Sequence, residues 1–108
     1  MKAQGRTAGI SDTTIVEQFQ WYDPDRIILF GSHARVEPAG DIDVVIIKNT
    51  TERFLDRLKV VYERWGLPVA ADILVYTPAE WSQMIQEERG FIMRVVKEGR
   101  EIYARPRG

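Results

Sequence analysis

Gly31-Ser32 and Asp41-Ile42-Asp43 are the residues of this 108-residue chain whose types and spacing suit chemistry. In an extended strand the side chains alternate between faces, so Asp41 and Asp43 point one way and Ile42 points into the opposite layer. Two carboxylates aimed at one point repel unless a cation sits between them, and hard oxygen donors of this kind suit Mg²⁺ or Mn²⁺. Magnesium keeps several waters and takes further ligands from substrate phosphates, so a few carboxylates are enough. Gly31 lets the backbone turn sharply and approach a phosphate. Ser32 adds a hydroxyl and an amide at an expected helix N-terminus, where anions are favoured. Arg35 is a candidate phosphate or partner contact. Asp72 is the candidate third metal ligand and the base for an attacking hydroxyl, provided that its strand lies beside the one carrying Asp41 and Asp43.

These residues need a scaffold, and the hydrophobic pattern supplies one. Ser11 or Asp12 can cap a first helix with Ile15, Phe19 and Tyr22 at helical spacing, which Asp23-Pro24-Asp25 stops. Arg26 to Phe30 is a short run of β-formers entering the turn at Gly31, and the residues from Ser32 to Arg35 can begin a short helix. Asp41 to Ile47 predicts a second strand, and its unbroken Val44-Val45-Ile46-Ile47 implies burial on both faces, hence a central position. Asn49 or Thr50 is expected to cap a helix whose face carries Phe54, Leu58, Val61 and Trp65, with Gly66-Leu67-Pro68 ending it. A third strand runs from Ala70 to Tyr76. Thr77-Pro78-Ala79-Glu80 then combines a capping residue, proline at the first helical position and glutamate at the third, with Trp81, Met84 and Ile85 on the buried face. Phe91 to Lys97 predicts another helix and Glu101 to Ala104 an edge strand. The order implies an α/β (α+β) fold, a single mixed sheet flanked by helices.

Length and composition bound the rest. A chain of 108 residues with 44% hydrophobic and 29% charged residues is sized for one domain burying roughly two thirds of its unfolded surface. That domain is expected over residues 11–104, with 1–10 and 105–108 as flexible termini. With no cysteine there is no disulfide, thiolate nucleophile or zinc-thiolate site. No apolar run approaches the length of a membrane span, and together these features predict a cytoplasmic protein. A formal net charge of −1 gives no global field for collecting nucleic acid, so no sequence-specific nucleic-acid binding is expected.

Ile28-Leu29-Phe30-Gly31-Ser32-His33-Ala34-Arg35 followed by Asp41-Ile42-Asp43-Val44-Val45-Ile46 resembles the signature of the DNA polymerase beta-like nucleotidyltransferase superfamily. Ala71-Asp72-Ile73-Leu74-Val75 and Thr77-Pro78-Ala79-Glu80-Trp81 resemble its third strand and following helix, so the likeness runs from Ile15 to Tyr103. It resembles in particular the superfamily's small stand-alone members, the minimal nucleotidyltransferases. The resemblance implies that a nucleoside triphosphate with Mg²⁺ is the substrate and that a nucleoside monophosphate passes to a hydroxyl. It further implies an antitoxin role beside a helical toxin of the HEPN class, with AMP from ATP moved onto a toxin tyrosine. The spacer from Ser32 to Asp41 is a little shorter than in the small members. Val36 stands where glycine is common, and because a β-branched residue disfavours positive φ the loop must take a different path.

The residues also admit blander readings. A lone Asp-x-Asp most often marks a strand end or a turn. The conjunction of a turn after one strand, an acid pair on the next and an acid on a third favours the metal site. His33 reads as a solvated loop residue, and Trp21, Trp65 and Trp81 as core on apolar helical faces. Arg89, Arg94, Lys97, Arg100, Arg105 and Arg107 read as a solvated basic face that could meet an acidic partner. Three functions compete: an active enzyme modifying a partner protein, a binding subunit with a vestigial nucleotide site, and a small-molecule transferase of the aminoglycoside type. The last would need a homo-oligomer or a partner to complete its pocket.

Overall fold

A computed structural model describes residues 6–7, 9–30 and 42–106. Two short strands, β1 (Arg6–Thr7) and β2 (Ile10–Ser11), pair antiparallel and lead into helix α1 (Asp12–Gln18). Ser11 caps that helix by accepting a hydrogen bond from the Thr14 amide at 3.2 Å, and a 3₁₀ turn (Gln20–Tyr22) carries its apolar stripe on to Tyr22. Asp23, at φ 55°, ends the turn in the left-handed region.

The main sheet has strands β3 (Arg26–Leu29), β4 (Ile42–Ile47), β5 (Ala71–Tyr76) and β6 (Arg100–Ala104) in the order β5-β4-β3-β6. Strands β3 and β4 are antiparallel, β3 and β6 are antiparallel, and β4 and β5 are parallel. Parallel neighbours need a crossover, which helix α2 (Phe54–Glu63) provides. Helices α3 (Pro78–Gln86) and α4 (Gly90–Glu98) follow β5. The result is the single mixed sheet flanked by helices that the pattern implied.

Side-chain alternation sorts the core into two layers. On one face Ile27, Leu29, Ile42, Val44, Ile46, Ile73 and Val75 meet Ile15, Phe19, Tyr22 and Val61 from α1, the 3₁₀ turn and α2. On the other, Ile28, Val45 and Ile47 meet Trp81, Met84, Ile92 and Val95 from α3 and α4. Strand β4 contributes to both layers, which is why its sequence is continuously apolar. Trp81 is core as expected, whereas Trp21 and Trp65 are only half-buried. The Trp65 ring packs on Phe19, and its indole N–H donates to the Val69 carbonyl at 2.8 Å. Trp21 lies under the Arg64 guanidinium at 4.2 Å.

Two expectations about local structure are corrected. Neither Asn49 nor Thr50 caps α2: its N-cap is Arg53, with no side-chain cap. The Asn49 backbone amide instead donates to the Asp25 carboxylate, and Thr50 Oγ1 accepts from the Glu52 amide, so both residues belong to the preceding turn. The face of α2 is also not wholly apolar. Arg57, between Phe54 and Val61 on the same arc, is buried. The capping box at Thr77 is present in full, with Glu80 both accepting from the Thr77 amide and donating its own amide to Thr77 Oγ1.

Arg57 and Tyr62 complete the outer side of β5. The Tyr62 hydroxyl accepts from the Ile73 amide at 2.6 Å, and the Arg57 guanidinium donates to the Val75 carbonyl at 3.2 Å. Side chains of α2 thereby satisfy backbone groups that have no neighbouring strand to bond.

Candidate active site

Asp43 is the second residue of β4 and Asp72 the second of β5, and the parallel register sets them directly opposite each other. Neighbouring strands lie about 4.8 Å apart, so two side chains in register on one face can share an ion between them. That face is the α3/α4 side, because Val45 and Leu74, two residues further along each strand, belong to its apolar layer. Asp43 is half-buried and Asp72 exposed.

The end of β3 meets the same point. Phe30 lies just beyond β3, yet its amide still donates to the Asp43 carbonyl at 3.1 Å, extending the ladder by one rung. In sequence Gly31 follows Phe30 and Asp41 precedes Ile42. Gly31, Ser32, Arg35 and Asp41, with His33 and Val36, lie outside the described residues. The structure therefore brings together Asp43 and Asp72 of the six site residues named from sequence, and it supplies the condition set for Asp72, that its strand adjoin β4.

A cleft of about 420 Å³ opens over the two carboxylates. Phe30, Leu74 and Phe91 line it on the α3/α4 side of the sheet, and Leu58, Tyr62 and Ile73 line it on the α2 side, around the β5 edge. The Phe30 and Phe91 rings meet edge to face, 5.2 Å apart at 84°. None of these wall residues was singled out as part of a site from sequence. Phe30 and Phe91 are distant in the chain, and only the packing of α4 across the sheet joins them.

The cleft's chemistry suits a divalent cation. Asp43 and Asp72 offer adjacent oxygen donors to one open space, the donor set that Mg²⁺ and Mn²⁺ prefer. Among the described residues no three acidic or imidazole side chains converge. The third ligand named from sequence, Asp41, is not among those residues. A second depression, of about 270 Å³, lies beside Tyr76 between Phe54, Met84 and Arg89. Its carboxylates are paired, Glu80 with Arg57 and Glu87 with Arg89. In the Asp43-Asp72 cleft, by contrast, acids from two adjacent strands meet in register.

A mixed sheet covered on both faces, with acids from adjacent strands meeting in one cleft, is consistent with a nucleotidyltransferase fold. The chain belongs to the nucleotidyltransferase domain family, whose sequence model matches residues 13–105. No curated protein matches the chain. Family membership makes the general reaction class nucleotidyl transfer. No helix among the described residues is long and apolar enough to cross a membrane.

Proposed function

We propose that this chain is a Mg²⁺-dependent nucleotidyltransferase that moves AMP from ATP to a hydroxyl of a partner protein, as the antitoxin of a HEPN-class toxin. The registered pair Asp43 and Asp72, open to one cleft, carries the reading. The choice of ATP and of a HEPN partner rests on the sequence resemblance to the small stand-alone members. In this reading Asp43, Asp72 and Asp41 hold the cation, and Gly31, Ser32 and Arg35 hold the triphosphate. When bound, the cation neutralises charge on the α-phosphate and on departing pyrophosphate.

Asp72 is the exposed member of the pair and so the one that an incoming acceptor meets. It takes the proton as the acceptor oxygen bonds to the α-phosphorus and the bond to the bridging oxygen of pyrophosphate breaks. The direct test is incubation of the candidate helical partner with ATP, Mg²⁺ and this protein, followed by intact mass measurement. A gain of one AMP that Asp43→Ala abolishes supports the reading. Neutralisation of the partner that persists in Asp43→Ala with no mass gain would establish a binding subunit with a vestigial site instead.

A further inference from the structure

We propose that Phe91 is the platform on which the nucleobase of the incoming triphosphate stacks, and that the site consequently discriminates little between bases. The inference rests on the reading of the Asp43-Asp72 cleft as the metal-triphosphate site and assigns the part of that cleft which the phosphates leave over. Phe91 lies in the first turn of α4, with 42% of its surface exposed, a large share for a phenylalanine packed on another ring. Its neighbour Phe30 is bonded through its amide to the Asp43 carbonyl, which sets Phe91 on the Asp43 side of the cleft. Whichever ring supplies the edge in this edge-to-face pair, at least one face of Phe91 is left uncovered by Phe30. A base joined through its ribose to a phosphate at the carboxylates therefore has a flat apolar surface along the same open cleft.

The volume fits. A cleft of 420 Å³ lies in the range of roughly 300–1,000 Å³ typical of small-molecule sites. The lining also bears on selectivity. Apart from the two carboxylates, the described wall residues offer one side-chain polar group, the Tyr62 hydroxyl, and that is bonded to the Ile73 amide. Stacking without hydrogen bonds to the base edge accepts every base, because each has a π-face.

Calorimetry with Mg²⁺ and, in turn, ATP, GTP, CTP, UTP and inorganic tripolyphosphate tests this without an acceptor. Phe91→Ala is expected to weaken each nucleoside triphosphate about tenfold while tripolyphosphate changes less than about twofold. Phe91→Leu, which keeps apolar contact with Phe30 and removes the ring face, is expected to follow Phe91→Ala and guards against an effect of misfolding. The four nucleotides are expected to bind wild-type protein within about tenfold of one another. Unchanged ATP affinity in both variants, with tripolyphosphate still bound, would overturn the assignment of Phe91 and leave the metal-triphosphate site standing. A spread above about a hundredfold among the four bases would overturn the claim of base tolerance. Wild-type protein that binds neither ATP nor tripolyphosphate would overturn both readings.

Discussion

The buried guanidinium of Arg57 grips both carboxylate oxygens of Glu80, at 2.8 and 3.2 Å, and so joins α2 to α3 around the edge of the sheet. Two more bonds from Arg57, to the Glu52 carbonyl at 2.8 Å and the Val75 carbonyl at 3.2 Å, leave this buried cation well satisfied. The Arg57 hydrogen bonds are the main cause of a Glu80 pKa lowered from 4.5. A carboxyl whose folded pKa is depressed stabilises the fold at pH values above 4.5, and that stability is lost as pH falls through the lower folded value. Urea midpoints measured on either side of this window should therefore fall more steeply on acidification for wild type than for Glu80→Gln. Glutamine can still serve the capping box, so the substitution isolates the ion pair. Its cost at neutral pH should be about 1–2 kcal/mol, below the figure for fully buried pairs because Glu80 is 43% exposed.

Asp43 and Asp72 place like charges side by side on adjacent strands. Like charges directly opposite on adjacent strands cost about 0.2–1 kcal/mol. Asp72→Asn should raise the melting temperature in chelator-treated buffer by about 1–5 °C and abolish the stabilisation that millimolar Mg²⁺ or Mn²⁺ gives wild type. Thermal melts with and without metal check both halves. A wild-type melting temperature indifferent to both metals would count against a cation between these carboxylates.

Removing the Tyr62 hydroxyl should loosen the strand that carries Asp72. Tyr62→Phe deletes the 2.6 Å bond to the Ile73 amide, the residue next to Asp72. The position is open to water, so the expected loss is about 0.5–1.5 kcal/mol. Hydrogen exchange should show faster turnover of the Ile73 amide in the variant, with the amides of β4 little changed.

Gly99 turns the chain from α4 into β6 where no side chain fits. A Cβ there would lie 2.4 Å from the Val95 carbonyl oxygen and 3.1 Å from that of Leu29. Both obstacles are backbone, so relief requires a shift of the helix end or of β3. Gly99→Ala should cost about 1–3 kcal/mol, read as a lower urea midpoint with an unchanged slope.

The strands of the main sheet and the α3 start were legible because each has a local cause. Burial on both faces makes β4 continuously apolar, and Thr77, Pro78 and Glu80 form a cap through contacts within one turn. The start of α2 was not legible, because Asn49 and Thr50 have capping chemistry but sit in a turn that Asp25 and Glu52 bond to, upstream of the N-cap at Arg53. Arg57 was missed for a related reason. Its charge argued for solvent, although its place between Phe54 and Val61 put it on the buried arc, and its compensation by Glu80 and the Val75 carbonyl exists only in three dimensions. Alternation showed that Asp43 opposes Ile42 in direction, but the register with Asp72 needed the crossover through α2. The aromatic wall at Phe30 and Phe91 depended wholly on tertiary packing.

Tyr62 and Arg57 also govern how another molecule can approach this sheet. A free outer strand is ordinarily an invitation to a foreign one, whose backbone would continue the ladder. Here the Ile73 amide and the Val75 carbonyl are already bonded to a phenol and a guanidinium from α2. An incoming strand would have to evict both, and the second eviction would also break the tie to Glu80. At this edge, recognition must therefore proceed by side chains meeting side chains.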